Sequence, residues 1–204
     1  KVDLSYAEFL CIFTMYICPC IAYDKNTFTT EALPMKNIVL IGMPGTGKST
    51  VGKALAERFG YEFVDADDLI VQTTGKTLPE ILRQDGLEAF YKIENKVGTD
   101  LNRTHTVIAT GGSMVLYPEA MAHLKEGSTV IWLQTPFSQL EKRMPADLYD
   151  RGIAVPAGTP LREIYEERCV LYARYADLIV ASQDGESDTA RLVEDVMRTV
   201  GLET

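Results

Sequence analysis

The sequence predicts a three-layer α/β fold, a doubly wound parallel sheet with helices on both faces. Three observations carry that expectation. Short apolar runs alternate with helix-period segments from residue 37 to residue 200, and such alternation makes successive strands parallel with a helix in each crossover. The first apolar run passes directly into a glycine-rich turn and then a helical segment. Finally, 204 residues with 46% hydrophobic and 24% charged side chains suit one soluble domain with a sizeable core.

The elements follow in order. Residues 37–41 (NIVLI) read as a strand, and Val51-Gly52-Lys53-Ala54-Leu55-Ala56 continues a helix of about 47–59, stopped by Gly60. Residues 61–64 form a short strand leading to Asp65-Ala66-Asp67-Asp68. A helical stretch then runs to about Thr73, before Gly75. Thr77 and Glu80 have the spacing of a capping box opening a helix that ends near Gly86. Leu87, Phe90, Ile93, Val97 and Leu101 recur at helical spacing and predict a helix of 87–102 with one buried stripe. Residues 106–110 are a strand stopped by Gly111-Gly112. A helix at 118–125, a strand at 129–133 and a helix from Pro136 to Arg143 come next. Residues 144–158 have no clean period and contain Pro, Gly and Asp, as in a mobile functional segment. Thr159-Pro160 would cap and start a helix of 160–176. A last strand at 178–181 precedes a helix capped by Ser187.

The turn after the first strand reads Gly42-Met43-Pro44-Gly45-Thr46-Gly47-Lys48-Ser49, followed by Thr50. This is G-x-x-x-x-G-K-S between a strand and a helix, the context that marks a phosphate-binding loop. Glycines let successive N–H groups converge, and the helix N-terminus favours an anion there. Lys48 would reach the β- and γ-phosphates of a nucleoside triphosphate, and the Ser49 hydroxyl would ligate Mg²⁺.

Composition narrows the partners. Net charge is −9 with no basic block, which argues against nucleic acid, whose binding rests on lysine and arginine at phosphates. Cys11, Cys18 and Cys20 fall in the first 20 residues and Cys169 stands alone in the body. Cys18-Pro19-Cys20 lacks the C-x-x-C spacing, and a body with one cysteine suits a cytoplasmic enzyme. The apolar stretch from Phe9 to Tyr23 is too short to span a bilayer as a helix and contains Pro19. Its flanks also lack the features of a signal peptide. No membrane partner is expected, and the chain is expected to be monomeric. Met35 opens the first strand as a natural start would, so residues 1–34 are read as an extension outside a phosphate-loop domain of 35–204.

Beyond the phosphate loop, Phe63-Val64-Asp65-Ala66-Asp67, Thr74-Gly75-Lys76, Asp85-Gly86 with Glu88 and Phe90, Ala109-Thr110-Gly111-Gly112 and Leu171-Tyr172-Ala173-Arg174-Tyr175-Ala176-Asp177 follow in a fixed order. With these pieces, residues 35–200 resemble the shikimate kinases, small P-loop kinases of the nucleoside-monophosphate-kinase type. The resemblance implies Mg²⁺-dependent transfer of the γ-phosphoryl group of ATP to a hydroxyl of a cyclic acid, most directly shikimate. ATP would lie on Gly45, Thr46, Gly47, Lys48, Ser49 and Thr50, with Arg143 over the adenine. Asp65 would join Ser49 in the Mg²⁺ shell. Asp67 would orient the acceptor hydroxyl and take its proton. Gly111 and Gly112 would approach the acceptor, with the Gly112 amide and Arg174 on its carboxylate. In the segment 144–158, acting as a lid, Arg151 would close on the transferring phosphoryl.

Each of these residues also has a plain structural use. Either aspartate can cap the helix that follows it, and Gly111-Gly112 can be an ordinary turn. Arg143 suits a helix end, Arg151 an exposed loop, and Arg174 the solvated face of an amphipathic helix. Three positions depart from the family pattern, one of them the lid arginine, where Asp150-Arg151-Gly152 stands one position displaced from the usual Arg-Pro. Tyr91 stands where an arginine normally anchors the acceptor carboxylate, with Glu94 matching that arginine's acidic partner. Ser113 replaces a third glycine. Tyr91 and Ser113 leave room for a different small hydroxy acid or polyol as acceptor, and a nucleotide-binding regulator without transfer is the reading from another class.

Overall fold

The computed structural model describes residues 36–145, 147–182 and 189–200. Residues 1–34 and the cap expected at Ser187 lie outside the described residues. Among the described residues, five strands form one sheet: β1 (Asn37–Ile41), β2 (Glu62–Asp65), β3 (Thr106–Ala109), β4 (Ser128–Gln134) and β5 (Leu178–Ala181). Their order is β2-β3-β1-β4-β5, and each neighbouring pair is parallel. The helices are α1 (Lys48–Phe59), α2 (Ala66–Thr74), α3 (Leu78–Gln84), α4 (Leu87–Asp100), α5 (Pro118–Lys125), α6 (Phe137–Arg143), α7 (Leu161–Tyr175) and α8 (Thr189–Thr199). Among the described residues, short 3₁₀ turns lie at Met114–Leu116 and Leu148–Arg151.

Strand alternation divides the core into two layers. Ile38 and Leu40 of β1 join Val107, Ile131 and Leu133 beneath Val51 and Leu55 of α1 and Val193 and Val196 of α8. Val39 and Ile41 face the other way, with Ile108, Val130 and Trp132, onto Ala120 and Met121 of α5 and Ile164 and Tyr172 of α7. A parallel sheet buried on both faces needs such unbroken apolar strands. A third cluster, Ile70, Ile81, Leu82, Phe90 and Ala154, joins α2, α3 and α4 to the segment after the second 3₁₀ turn.

β1 lies between β3 and β4, so the chain reverses its winding direction at the C-terminal end of β1. Ligands of open α/β sheets bind at such a point. Ala109 pairs with Leu40 on one side and with Asp65 on the other, so the ends of β1, β2 and β3 are level with one another. That register sets the phosphate loop, Asp65 and Gly111-Gly112 around one cleft.

Several boundaries differ from expectation. β2 starts at Glu62, because the Tyr61 amide donates to Ala56 O (2.9 Å) and completes the cap of α1 with Gly60. α4 stops at Asp100, and Leu101 is extended. Thr159 does not cap α7; its hydroxyl donates to Pro156 O (2.8 Å), and Pro160 is the N-cap. Residues 144–158 are also less irregular than their sequence. The Asp147 side chain caps the 3₁₀ turn, and Ile153, Ala154 and Val155 are buried. No helix among the described residues is long and apolar enough to cross a membrane.

Candidate active site

The phosphate loop leaves the sheet at Gly42, whose φ of 145° and 2.6 Å approach of a built Cβ to Leu133 O exclude other residues. Gly47 is the N-cap of α1 and supplies no side chain to its first amides, which therefore remain available to an anion. Lys48 is 8% exposed and folds over the loop, donating from Nζ to Gly42 O (2.8 Å) and Met43 O (2.9 Å). Desolvation lowers its pKa to about 8, against the pull of Asp67 and Asp65.

Across the cleft, Asp65 uses its two oxygens differently. Oδ1 accepts from the Asp67 amide (3.0 Å) and caps α2, while Oδ2 accepts from the Ser49 hydroxyl at 2.6 Å. The capping and the functional readings of this aspartate are therefore compatible. One hydroxyl and one carboxylate oxygen side by side suit Mg²⁺, which takes few protein ligands and completes its shell with water and phosphate oxygens. Asp67 projects from the first turn of α2 into the cleft. Burial, then the neighbouring Asp65, raise its pKa to about 6 despite Lys48.

The third wall comes from the end of β3. Thr110 ties that end to β1, its amide and hydroxyl both donating to Leu40 O (3.1 and 3.0 Å). A Cβ on Gly112 would come within 2.6 Å of Pro44 Cδ, so this turn packs directly on the phosphate loop. The buried Tyr172 fixes it from below by donating to Gly112 O (2.6 Å). A Cβ on Gly111 would overlap Glu94 Oε1 and lie 2.9 Å from Asp67 Oδ1. Glycine here keeps open the space between two carboxyl groups.

These walls enclose a cavity of about 250 Å³. Of the residues singled out from sequence, Gly45, Gly47, Lys48, Ser49, Thr50, Asp65, Asp67, Gly111, Gly112 and Arg151 line it. Four expected residues do not. Thr46 is buried behind the loop, and Arg143 packs on the loop's back, donating to Gly45 O (3.1 Å) and Gln139 Oε1 (3.0 Å). Tyr91 sits under the lid segment, its hydroxyl making a long contact to Ala154 O (3.4 Å) and its ring edge-on to Tyr117. Arg174 is exposed, with its guanidinium over the Tyr175 ring.

Arg168, not Arg174, is the arginine of α7 that lines the cavity. It is 2% exposed and donates to Ala154 O (2.8 Å), with no ion pair among the described residues. A readable signal pointed to it. Ile164, Arg168 and Tyr172 are four apart, and the outer two are core residues, so the arginine lies in the inward stripe of α7. Arg174 is about 120° round the helix from that stripe. Glu94, 1% exposed, also lines the cavity, accepting from Ser113 (2.6 Å) and Tyr117 (2.9 Å). Burial raises its pKa to about 7.

The arrangement gathers a phosphate loop, a carboxyl group suited to accept a proton, and a buried arginine at the far end. A family model described as shikimate kinase matches residues 44–200. A shikimate kinase of Synechococcus sp. (strain RCC307) is 41% identical over 175 residues, 83% of this chain and 88% of that protein. One from Persephonella marina is 37% identical over 150 residues, 73% and 90% of the two chains. Among solved structures, the shikimate kinase of Acinetobacter baumannii in complex with shikimate superposes with a TM-score of 0.69. It is 28% identical, over 80% of this chain and 92% of that one. Sequence and fold agree with the cleft: the chain belongs to the shikimate kinase family, and it is an ATP-dependent small-molecule kinase.

Proposed function

We propose that this chain transfers the γ-phosphoryl group of ATP to a hydroxyl of shikimate, giving shikimate 3-phosphate and ADP. The observation that carries the acceptor half is Arg168, a buried cation with no ion pair among the described residues, in the same cavity as Asp67 and Lys48. A desolvated guanidinium without a carboxylate is costly, and the carboxylate of the acceptor would supply its partner. With that group on Arg168 and the Gly112 amide, a hydroxyl of the acceptor falls to Asp67. Asp67 orients this hydroxyl and takes its proton as the oxygen attacks phosphorus. Lys48 leaves the carbonyls of Gly42 and Met43 for the β- and γ-phosphates. Arg151 bears on the charge of the transferring group. Mg²⁺ held by Ser49 and Asp65 would neutralise charge between the same phosphates.

ADP release measured with and without shikimate tests this. Turnover that requires both shikimate and Mg²⁺ is expected, and ATP hydrolysis indifferent to shikimate overturns it. A second reading keeps the transfer and changes the acceptor to another small hydroxy acid. The position of Tyr91 favours it, since Tyr91 lies off the cavity wall and leaves Arg168 without a second carboxylate anchor at that point. The same assay across a panel of hydroxy acids separates the two.

A further inference from the structure

The acceptor carboxylate is assigned two donors, the Arg168 guanidinium and the Gly112 amide, and they lie on different elements. Gly112 follows Gly111, and two glycines in succession leave a backbone that can take many directions. What aims the Gly112 amide therefore comes from outside the turn. On one side the Met114 amide donates to Gly111 O (3.2 Å), holding the peptide unit that carries the Gly112 N–H. On the other side the Tyr172 hydroxyl donates to Gly112 O at 2.6 Å. Tyr172 is fully buried, and its ring packs against Trp132 with centroids 5.8 Å apart. Phenylalanine would serve that packing without burying a hydroxyl, which is costly unless hydrogen-bonded. Burial pushes the pKa of the hydroxyl up against the opposing pull of Arg168, so the proton it donates stays in place. The same oxygen lies 3.9 Å from Met43 Sδ in the phosphate loop. Tyr172 also follows Arg168 by four residues on α7, so one helical turn carries both the cation and the clamp on the amide.

We propose that Tyr172 is a positioning residue for acceptor binding, its hydroxyl holding the Gly112 turn at a spacing from Arg168 that one carboxylate can bridge. The turn is then set before the acceptor arrives, and less of the binding free energy goes into ordering it. This rests on the reading of the cleft as an acceptor site. It gives α7 a second task beside supplying the cation.

Y172F is the informative substitution, because it removes the hydroxyl and keeps the ring. KM and kcat are measured for shikimate and ATP, together with the inhibition constant of a shikimate analogue whose carboxylate is reduced to a hydroxymethyl group. Y172F should raise KM for shikimate about tenfold, equivalent to roughly 1.4 kcal/mol, with KM for ATP within twofold and kcat within threefold. The reduced analogue has no carboxylate to bridge the two donors, so its inhibition constant should differ less than twofold between Y172F and the unaltered protein. A KM for shikimate within twofold of the unaltered protein overturns the assignment. So does an equal loss for shikimate and the reduced analogue, or for shikimate and ATP, either of which marks a general loosening of the core. If thermal melting shows Y172F unfolded, the amide NMR resonance of Gly112 in the unaltered protein decides. One sharp resonance without acceptor, displaced on adding shikimate, supports a turn set in advance. A resonance broadened by exchange until shikimate is added overturns it. Failure of the unaltered protein to phosphorylate any carboxylic acid acceptor overturns the reading of the cleft together with this assignment, whereas activity with a flat Y172F response overturns the assignment alone.

Discussion

Asp67 must be ionised to take a proton, yet the cleft that aims it holds its pKa up near 6. The sign follows directly: below about 6 the carboxyl of the free protein is protonated and cannot act as base, so kcat/KM falls as pH drops through that value. D67N should lose on the order of 10²–10⁴ in kcat and leave its residual rate without the limb near 6. ATP affinity should change little, which isothermal titration would show. Arg168 and Arg174 make a second pair of predictions. A hydrogen-bonded contact between charged groups contributes about 1.5–3 kcal/mol, so R168K, which loses the planar fork, should raise acceptor KM about tenfold or more. R174A should leave it within twofold; a tenfold rise with R174A and none with R168K would reverse the assignment. The motif resemblance singled out Arg174, which is exposed, and passed over Arg168, which lines the cavity. A motif fixes spacing along the chain, whereas the face of α7 that meets the cleft is set by Ile164 and Tyr172 packing in the core.

At the level of elements, local chemistry predicted most boundaries. The capping box at Thr77 and Glu80 forms in full, with Thr77 receiving the Glu80 amide and Glu80 receiving the Thr77 amide at 2.7 Å. T77A should cost about 1 kcal/mol and lower Tm by roughly 2–4 °C, leaving acceptor KM unchanged. The lid segment was less legible, because what orders it lies elsewhere in the sequence. Arg83 of α3 forms ion pairs with Asp147 and Asp150, and Tyr149 donates to Val155 O (2.8 Å). Gly152 is in the left-handed region at φ 70°, and a Cβ there would come within 2.5 Å of Leu78 Cβ. G152A should therefore lift the segment from α3 and displace Arg151, at a strain of about 1–3 kcal/mol. The expected result is a several-fold fall in kcat with ATP binding retained; unchanged kcat would mean that lid position does not limit transfer.

For the molecule as a whole, the sheet and the phosphate loop were legible because both rest on contiguous signals, apolar strands and a glycine-rich turn. The acceptor half was less so, since Glu94, Gly111, Ser113 and Arg168 meet only after α4, β3 and α7 have packed. That half also affects the stability of the whole chain. Glu94 is buried, and its pKa is raised from the ordinary 4.5 to about 7, so the folded chain holds this proton more tightly than the unfolded chain. The stabilisation from that proton is complete below 4.5 and is lost as pH rises through 7. In E94Q the position does not titrate. The Tm of E94Q minus that of the unaltered protein should therefore be largest near pH 8 and shrink steadily toward pH 5, where protonated glutamic acid and glutamine are nearly equivalent. Exposed pairs such as Lys96–Asp100 are shared by both proteins and cancel in the difference. Thermal melts at matched ionic strength measure it. A Tm difference constant from pH 5 to pH 8 would show that Glu94 does not gain its proton on folding.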